Sequence, residues 1–364
     1  MSFAVISLCS IFLNVLLLSS AFTEETHSST TQPITPTIHE LLALAASGDV
    51  AAEIELAHRY VYGIGVDKNY SEAFTWYKQA AGQGSNKAEQ ALGIAYQRGL
   101  GTSEDDIEAI EQFRKAATDG YAPSQNSLGM AYQDGKGVQK DYSEAIKWYQ
   151  RAADQDYPWA ENNLAFMYAN GLGTTKDDSR AIKWLRKGAE QGNPPSESGL
   201  AAMYLNGRGT TKDFREAAKW FKKAADSGLA ISQVNLAQLY HWGLGVPYDE
   251  TEASRYYRMA ADNGDTLAEY ELGFRYFYGE GLHKDDAAAA LWFEKAAEQG
   301  DVSAETWMGY ICSSGLGGRT RNIGQAIYWY RKAAAAGNES AAQAINALDI
   351  KEKISSGDAT TRQN

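Results

Sequence analysis

The sequence predicts an all-α protein, a right-handed α/α solenoid of eight helical hairpins, on three observations. A Gly-x-Gly pair recurs every 36 residues, an apolar helical stripe precedes each pair, and an aromatic and alanine-rich helix follows each pair. The pairs are Gly63/Gly65, Gly99/Gly101, Gly135/Gly137, Gly171/Gly173, Gly207/Gly209, Gly243/Gly245, Gly279/Gly281 and Gly315/Gly317. A phosphate-cradling loop would not be repeated eight times, so the glycines read as a connecting loop that needs positive φ at two positions.

The chain opens on an uncharged stretch from Met1 to Ala21, whose apolar run Val5 to Leu18 is followed by small residues ending at Ala21. This reads as a signal peptide over 1–21, cleaved before Phe22, and places the mature protein outside the cytoplasm, in a periplasm, at the cell exterior or in the endoplasmic reticulum lumen. The segment lacks the usual leading Lys or Arg, which leaves an uncleaved anchor as the alternative. Residues 22–36, rich in Thr, Ser and Pro, read as a flexible leader, and no second apolar segment predicts a membrane span in the mature chain.

Residues 37–353 carry the array, with repeats at 49–84, 85–120, 121–156, 157–192, 193–228, 229–264, 265–300 and 301–337. The leading helix of each shows small residue, Leu and Tyr four apart, as in Ala88-Leu92-Tyr96, Ala160-Leu164-Tyr168 and Ser232-Leu236-Tyr240, which is one helix face. Next to the Leu sits Gly or Ala (Gly93, Gly129, Ala165, Ala201, Ala237, Gly273, Gly309), where close helix approach leaves no room.

After each glycine pair an Asn or Asp takes the N-cap position of the second helix: Asn69, Asp105, Asp141, Asp177, Asp213, Asp249, Asp285 and Asn322. Glu or Gln three residues later in six repeats predicts a reciprocal capping box. The second helix then runs as Ala-x-x-Trp-Tyr/Phe-x-x-Ala-Ala and ends at a glycine, except at Asp156. The row Trp76, Trp148, Trp184, Trp220, Trp292 and Trp329 reads as packing against small residues rather than as a ligand-stacking ladder.

These motifs closely resemble the Sel-1-like repeat, a relative of the tetratricopeptide repeat, over about Asp49 to Gly337. The eighth copy departs from the pattern, with Met308 for the Leu, Cys312 for the Tyr and Gly318 inserted in the loop. Residues 37–48 and 340–353 read as single capping helices, and 354–364 as a disordered tail.

Composition narrows the function. The net charge of -12 disfavours a phosphate-tracking surface, so no nucleic acid is expected as partner. Of the two cysteines, Cys9 lies in the signal segment and Cys312 at a core position, so the mature chain has no internal disulfide and its stability comes from packing of repeat on repeat. The five histidines show no metal-ligand spacing, and neither a metal nor any other cofactor is expected. Asn69-Tyr70-Ser71 and Asn338-Glu339-Ser340 are glycosylation sequons that matter only in a eukaryotic source, and Asn69 is already explained as an N-cap.

The resemblance implies a protein–protein interaction adaptor, not an enzyme and without catalytic residues, that binds a peptide or protein along leading helices lining a concave face, with a monomer expected. Positions opposite the Leu stripe give an amide series, Gln90, Gln97, Asn126, Gln133, Asn162, Asn170, Asn206 and Gln238, with Asn163 and Asn235 beside it and Phe166 one turn after Asn162. Toward the C-terminus the series turns aromatic at Trp242, Tyr270, Phe274, Phe277, Tyr278, Trp307 and Tyr310, as at a protein-binding hot spot. Solvation of the amides and packing of the aromatics between helices account for the same residues equally well. The alternative function is a secreted hydrolase of β-lactam or cell-wall type, as described for cysteine-rich relatives. The paired cysteines of those relatives, Ser-x-x-Lys and Lys-Thr-Gly are all absent.

Overall fold

The computed structural model describes residues 36–355. The expected signal peptide, the leader up to residue 35 and the tail from residue 356 lie outside the described residues. Eighteen α-helices and no strand occupy the described residues. In chain order these are α1 (Ile38–Ala46), α2 (Val50–Tyr62), α3 (Tyr70–Gly82), α4 (Asn86–Arg98), α5 (Asp106–Thr118), α6 (Ala122–Asp134), α7 (Tyr142–Ala153), α8 (Pro158–Asn170) and α9 (Asp178–Glu190). They continue as α10 (Pro194–Asn206), α11 (Phe214–Asp226), α12 (Ala230–Trp242), α13 (Glu250–Asp262), α14 (Thr266–Tyr278), α15 (Asp286–Glu298), α16 (Val302–Ser314), α17 (Ile323–Ala335) and α18 (Glu339–Ser355). The last helix continues two residues past the point where the sequence predicts fraying.

The chain forms two compact units, the first reaching Met203 and including Gly207–Thr211, the second comprising Tyr204–Asn206 and the chain from Lys212 onward. In the first unit α2 packs on α3, α4 on α5, α6 on α7 and α8 on α9. In the second, α12 packs on α13, α14 on α15 and α16 on α17, and α18 covers α17. Each hairpin is closed by the residues the pattern singles out. Leu128, Leu164 and Leu272 are fully buried, and the glycines beside Leu128 and Leu272 each face an aromatic ring of the second helix. A Cβ on Gly129 would lie 2.7 Å from the Tyr149 ring, and one on Gly273 would lie 2.8 Å from the Phe293 ring. Hydrophobic burial of this kind, roughly 25 cal/mol per Å² of apolar surface, is the main stabilising term in a chain without disulfides.

The second helices start as predicted in one half of the capping box and not in the other. Asp141 accepts from the backbone N–H groups of Ser143 (2.8 Å) and Glu144 (3.0 Å), Asn69, Asp105, Asp213, Asp249 and Asp285 do likewise, and Asp177 and Asn322 accept only from the N–H three residues on. The reciprocal glutamate bond is absent there because the N-cap's own N–H is already taken by the carbonyl that ends the Leu-Tyr stripe: Asp105 to Tyr96 (2.9 Å), Asp141 to Tyr132 (2.9 Å), Asp285 to Tyr276 (2.9 Å). That bond ties the loop back to the leading helix and releases the N3 glutamates, which pair with bases instead, as in Glu144–Lys147 and Glu252–Arg255. The full box is made at α1, where the Glu40 carboxylate accepts from the Thr37 N–H (2.7 Å).

From the second repeat onward, the second glycine of the loop is where neighbouring repeats touch through backbone, whereas Gly65 meets only the Ile38 side chain. Gly137 has φ +67, and a Cβ there would stand 2.2 Å from the Asp106 carbonyl oxygen at the start of α5. The departure at Asp156 is real and carries a cost, since it holds φ 59 without being glycine.

The tryptophans pack as expected and gain a second function in holding bases. Trp148, Trp220, Trp292 and Trp329 each lie under the cation three residues on, Arg151 (4.3 Å), Lys223 (4.2 Å), Lys295 (3.8 Å) and Lys332 (4.9 Å).

Candidate functional site

In the first unit the amide series is drawn inward. Gln90, Asn126 and Asn162 are 6%, 4% and 8% exposed, not spread on an open face. Their polar groups serve successive leading helices: Ser124 donates to Gln90 (2.7 Å), Gln90 donates to Ser127 (3.0 Å), and Asn163 donates to Asn126 (2.9 Å). The physical reason is the small residues of the stripe, which bring leading helices near enough for a side chain to span to the next repeat, so an amide there meets a neighbour before it meets water. Asn162 keeps one buried oxygen without a hydrogen bond among the described residues. Gln133 is half-buried and accepts from the Tyr149 hydroxyl (2.9 Å), Asn170 is exposed and donates to the Phe166 carbonyl (2.9 Å), and Gln97 and Phe166 are half-buried.

In the second unit Asn206 is exposed and Gln238 half-buried, while Asn235 is buried with its amide nitrogen unpartnered among the described residues. Most of the aromatic positions of this unit contact one another. Rings of Phe274 and Tyr278 lie 4.5 Å apart, those of Phe277 and Trp307 4.8 Å, and those of Trp307 and Tyr310 5.8 Å. Trp307 also stacks on the buried Phe293 at 5.1 Å and hydrogen-bonds to Tyr270. Inter-helix packing thus takes Tyr270, Phe274, Phe277 and Trp307 in part, yet Trp242, Tyr278 and Tyr310 remain 62%, 54% and 43% exposed. Rings anchored at one edge and open at the other suit partner contact, because their rotamers are fixed before binding.

Beside these rings lies a polar network that the sequence does not announce. Arg275, 2% exposed, donates to Glu250 (2.6 Å) and Ser254 (3.2 Å), lies over the Tyr257 ring (4.8 Å), and places Nη2 3.3 Å from His241 Nδ1. His241 Nδ1 is 2.7 Å from the other Glu250 oxygen, and Ser254 donates to the Glu280 carbonyl (2.9 Å). Burial works to raise the Glu250 carboxyl, but hydrogen bonds from Arg275 and Tyr248 outweigh it and hold that carboxyl below its ordinary value.

A second missed feature has a plain signal, an acidic or amide residue at every 36th position: Glu53, Glu89, Gln125, Glu161, Glu197, Gln233, Glu269 and Glu305. All are buried in the first turn of a leading helix, and several bond to the residue 30 positions on, as in Gln155 to Gln125 (2.8 Å), Gln191 to Glu161 (2.8 Å) and Gln299 to Glu269 (2.7 Å). Lys187 adds an ion pair to Glu161 (2.9 Å) and Lys332 one to Glu305 (3.0 Å). Burial raises the carboxyls of Glu89, Glu161 and Glu269. The row fastens each hairpin across its open end.

Cys312 is buried and its thiol is pushed up by burial, with Arg319 opposing, which keeps the nucleophilic thiolate scarce. Among the described residues no set of three His, Cys, Asp or Glu side chains is placed to hold a metal ion, and no helix is long and apolar enough to cross a membrane. The sequon residue Asn338 caps α18 by accepting from Ala341 N–H (3.0 Å), and Asn69 caps α3; both acts use the side-chain oxygen.

A family model described as the Sel1 repeat matches residues 50–85, 86–121, 122–157, 160–193, 194–229, 230–265, 266–301 and 302–338. Among solved structures the chain is similar to c5321, a protective antigen present in uropathogenic Escherichia coli strains displaying an SLR fold, at 33% identity and TM-score 0.70 over 87% of this chain and 68% of that one. It is also similar to a Sel1 repeat protein from Oxalobacter formigenes, at 27% identity and TM-score 0.64 over 91% of this chain and 100% of that one. No curated protein matches the chain. A helical repeat fold of this kind is a scaffold for protein–protein interaction rather than the mark of an enzyme family.

Proposed function

Because the chain belongs to the Sel1 repeat family, we propose that it is an exported adaptor that docks a peptide or protein segment on its leading helices, chiefly at the aromatic positions of the second unit. The observation that carries this reading is the pair of solvent-facing rings Tyr278 and Tyr310, both packed on Trp307, with the exposed Trp242 on the preceding leading helix of the same unit. Large rings held by Phe293 and Phe277 from behind supply contact area at low entropic cost on binding. Asn206 and Gln238 are the polar positions of the second unit open to such a segment, whereas Gln90 and Asn126 act between repeats.

Export rests on the uncharged apolar run ending in small residues at Ala21. The description of c5321 as a protective antigen supports it by analogy. Affinity capture with the full chain as bait, compared with a Trp242→Ala/Tyr278→Ala variant, tests the docking reading. The variant is expected to keep wild-type helicity and lose the partner; recovery of the same partner at the same yield overturns the assignment of this surface. Intact mass of protein recovered from its native compartment tests export, with Phe22 expected as the first residue.

A further inference from the structure

Glu271 lies on α14 one turn before Arg275 and in the middle of the aromatic cluster's own helix. Its position in the repeat is the one from which Asn163 donates to Asn126, 37 residues earlier, and from which Trp307 bonds to Tyr270 at the same separation. Counting back by the same interval from 271 arrives at Val234, which has no polar group to offer. The consequence is a half-buried carboxylate with no hydrogen bond or ion pair among the described residues. Arg275, one turn on, bonds to Glu250 (2.6 Å) and Ser254 (3.2 Å) and not to Glu271, so its charge acts on that carboxylate without a hydrogen bond, and its Nε stays buried without a partner among the described residues.

A carboxylate that has given up part of its water without gaining a cation is a cost carried by the free protein. Burial raises the Glu271 carboxyl; Arg275 and His241 pull it back, and the charges of Glu280 and Asp301 push it further up. On the same helix Phe274 and Tyr278 follow it by one and two turns, and the exposed Trp242 lies 4.6 Å between ring centres from His241, whose charge acts on Glu271. The chain repeatedly sets a base over an aromatic ring in its own packing, as Lys295 over Trp292 (3.8 Å) and Lys284 over Phe277 (5.4 Å), so ring faces with a carboxylate beside them complement an ammonium or guanidinium. The net charge of -12 favours the approach of a basic partner.

We propose that Glu271, on the helix that also carries Phe274 and Tyr278, is the receptor for a lysine or arginine side chain of the protein partner, an inference that rests on the adaptor reading above. The cation pairs with the carboxylate, its alkyl stem lies along the rings, and binding removes the cost that the unpaired carboxylate imposes on the free protein.

The test is a random-peptide phage selection on the full chain, followed by fluorescence polarisation with a selected peptide and with a copy whose arginine or lysine is replaced by citrulline or norleucine. Glu271→Gln is the matched variant, chosen because amides occupy the same repeat position at Asn163 and Asn235 and the fold should accept one. The expected result is a basic residue common to the selected peptides, about tenfold or greater loss on neutralising it against wild type, and no discrimination between the two peptides by Glu271→Gln. Peptides that bind without a common basic residue, or that Glu271→Gln distinguishes as wild type does, overturn the inference while leaving the adaptor reading in place. Selection of no peptide at all overturns both.

Discussion

Gly281 is the position at which a single methyl group should do the most damage, and two other glycines in the same unit show how much of that damage is contact. Gly281 has φ +65, Gly279 has φ +77 and Gly264 has φ +81, so alanine at any of them enters the left-handed region at a cost of roughly 1–2 kcal/mol. Their surroundings differ. A Cβ on Gly264 meets nothing within 4 Å, and one on Gly279 stays 3.4 Å or more from its neighbours. One on Gly281 stands 2.0 Å from the Glu250 carbonyl oxygen, 2.3 Å from its carbon and 2.8 Å from the Thr251 nitrogen. These are backbone atoms in the first turn of α13, already fixed by the Asp249 cap, so the strain cannot be relieved by turning a side chain. Overpacking of that kind adds roughly 1–3 kcal/mol, giving about 2–5 kcal/mol in total for Gly281→Ala against about 1 kcal/mol for Gly264→Ala. Urea unfolding followed by circular dichroism reads the difference as a midpoint shift at constant slope, about 1 M or more for Gly281→Ala if the slope is near 2–3 kcal/mol per M. Equal midpoints for Gly281→Ala and Gly264→Ala would refute the claim that the loop of one repeat rests on the helix start of the repeat before it.

Glu161→Ala removes the acceptor for Gln191 and Lys187 and should cost roughly 1–3 kcal/mol; Glu161→Gln, which copies Gln125 and Gln233, should cost visibly less, and equal melting temperatures for the two variants would count against the fastening role. Arg275→Met leaves the half-buried Glu250 without its main partner, so the expected loss is about 2–4 kcal/mol, below that of a fully buried pair, with part recovered on adding Glu250→Gln; an additive double variant would argue that the two side chains do not interact. The Glu250 carboxyl is held below its ordinary value, so its contribution is present above the unfolded carboxylate pKa and lost as the pH falls through the lower folded value; the raised carboxyls of Glu161 and Glu269 have the opposite sign, the folded state binding their protons first and gaining stability as the pH falls. Melting temperature against pH should therefore fall less on the acid side for Glu250→Gln than for wild type, and parallel curves would exclude Glu250 as a source of acid sensitivity. Cys312 should resist a disulfide reagent in native buffer and react fully in denaturant; rapid native labelling would mean that the α16 core opens readily.

The hairpins are legible in the sequence because local signals agree with the packing they serve. Asp141 caps α7, Gly135 ends α6 with φ 76, and Gly129 admits the Tyr149 ring, each a choice that one residue type makes and its neighbours confirm. The capping box fails for a reason that no window of four residues contains, since the N–H that Glu144 would have taken belongs to Asp141 and is used by the Tyr132 carbonyl, nine residues upstream and across the loop.

Exposure is harder to read than helicity, because it depends on what stands one repeat away. Asn126 and Glu271 illustrate the limit from opposite sides. Asn126 is on the face that periodicity marks as open, yet Asn163 bonds to it at 2.9 Å and closes it off, so Asn126→Ala should lower stability by roughly 1–3 kcal/mol through the donor left behind rather than act on a partner alone. Glu271 looks like an ordinary surface charge in a helix, and only the residue 37 positions earlier, Val234, reveals that it has no neighbour to answer it. The two cases share one rule. At a position that points along a repeat array, a side chain's fate is decided by the residue one period away, so a polar group that finds a complement becomes structure and one that does not is left for a ligand. Replacing Val234 with Asn should supply the missing donor from within, and if the proposed role of Glu271 is right, Val234→Asn will weaken binding of basic peptides while leaving the Trp242 and Tyr278 rings where they are.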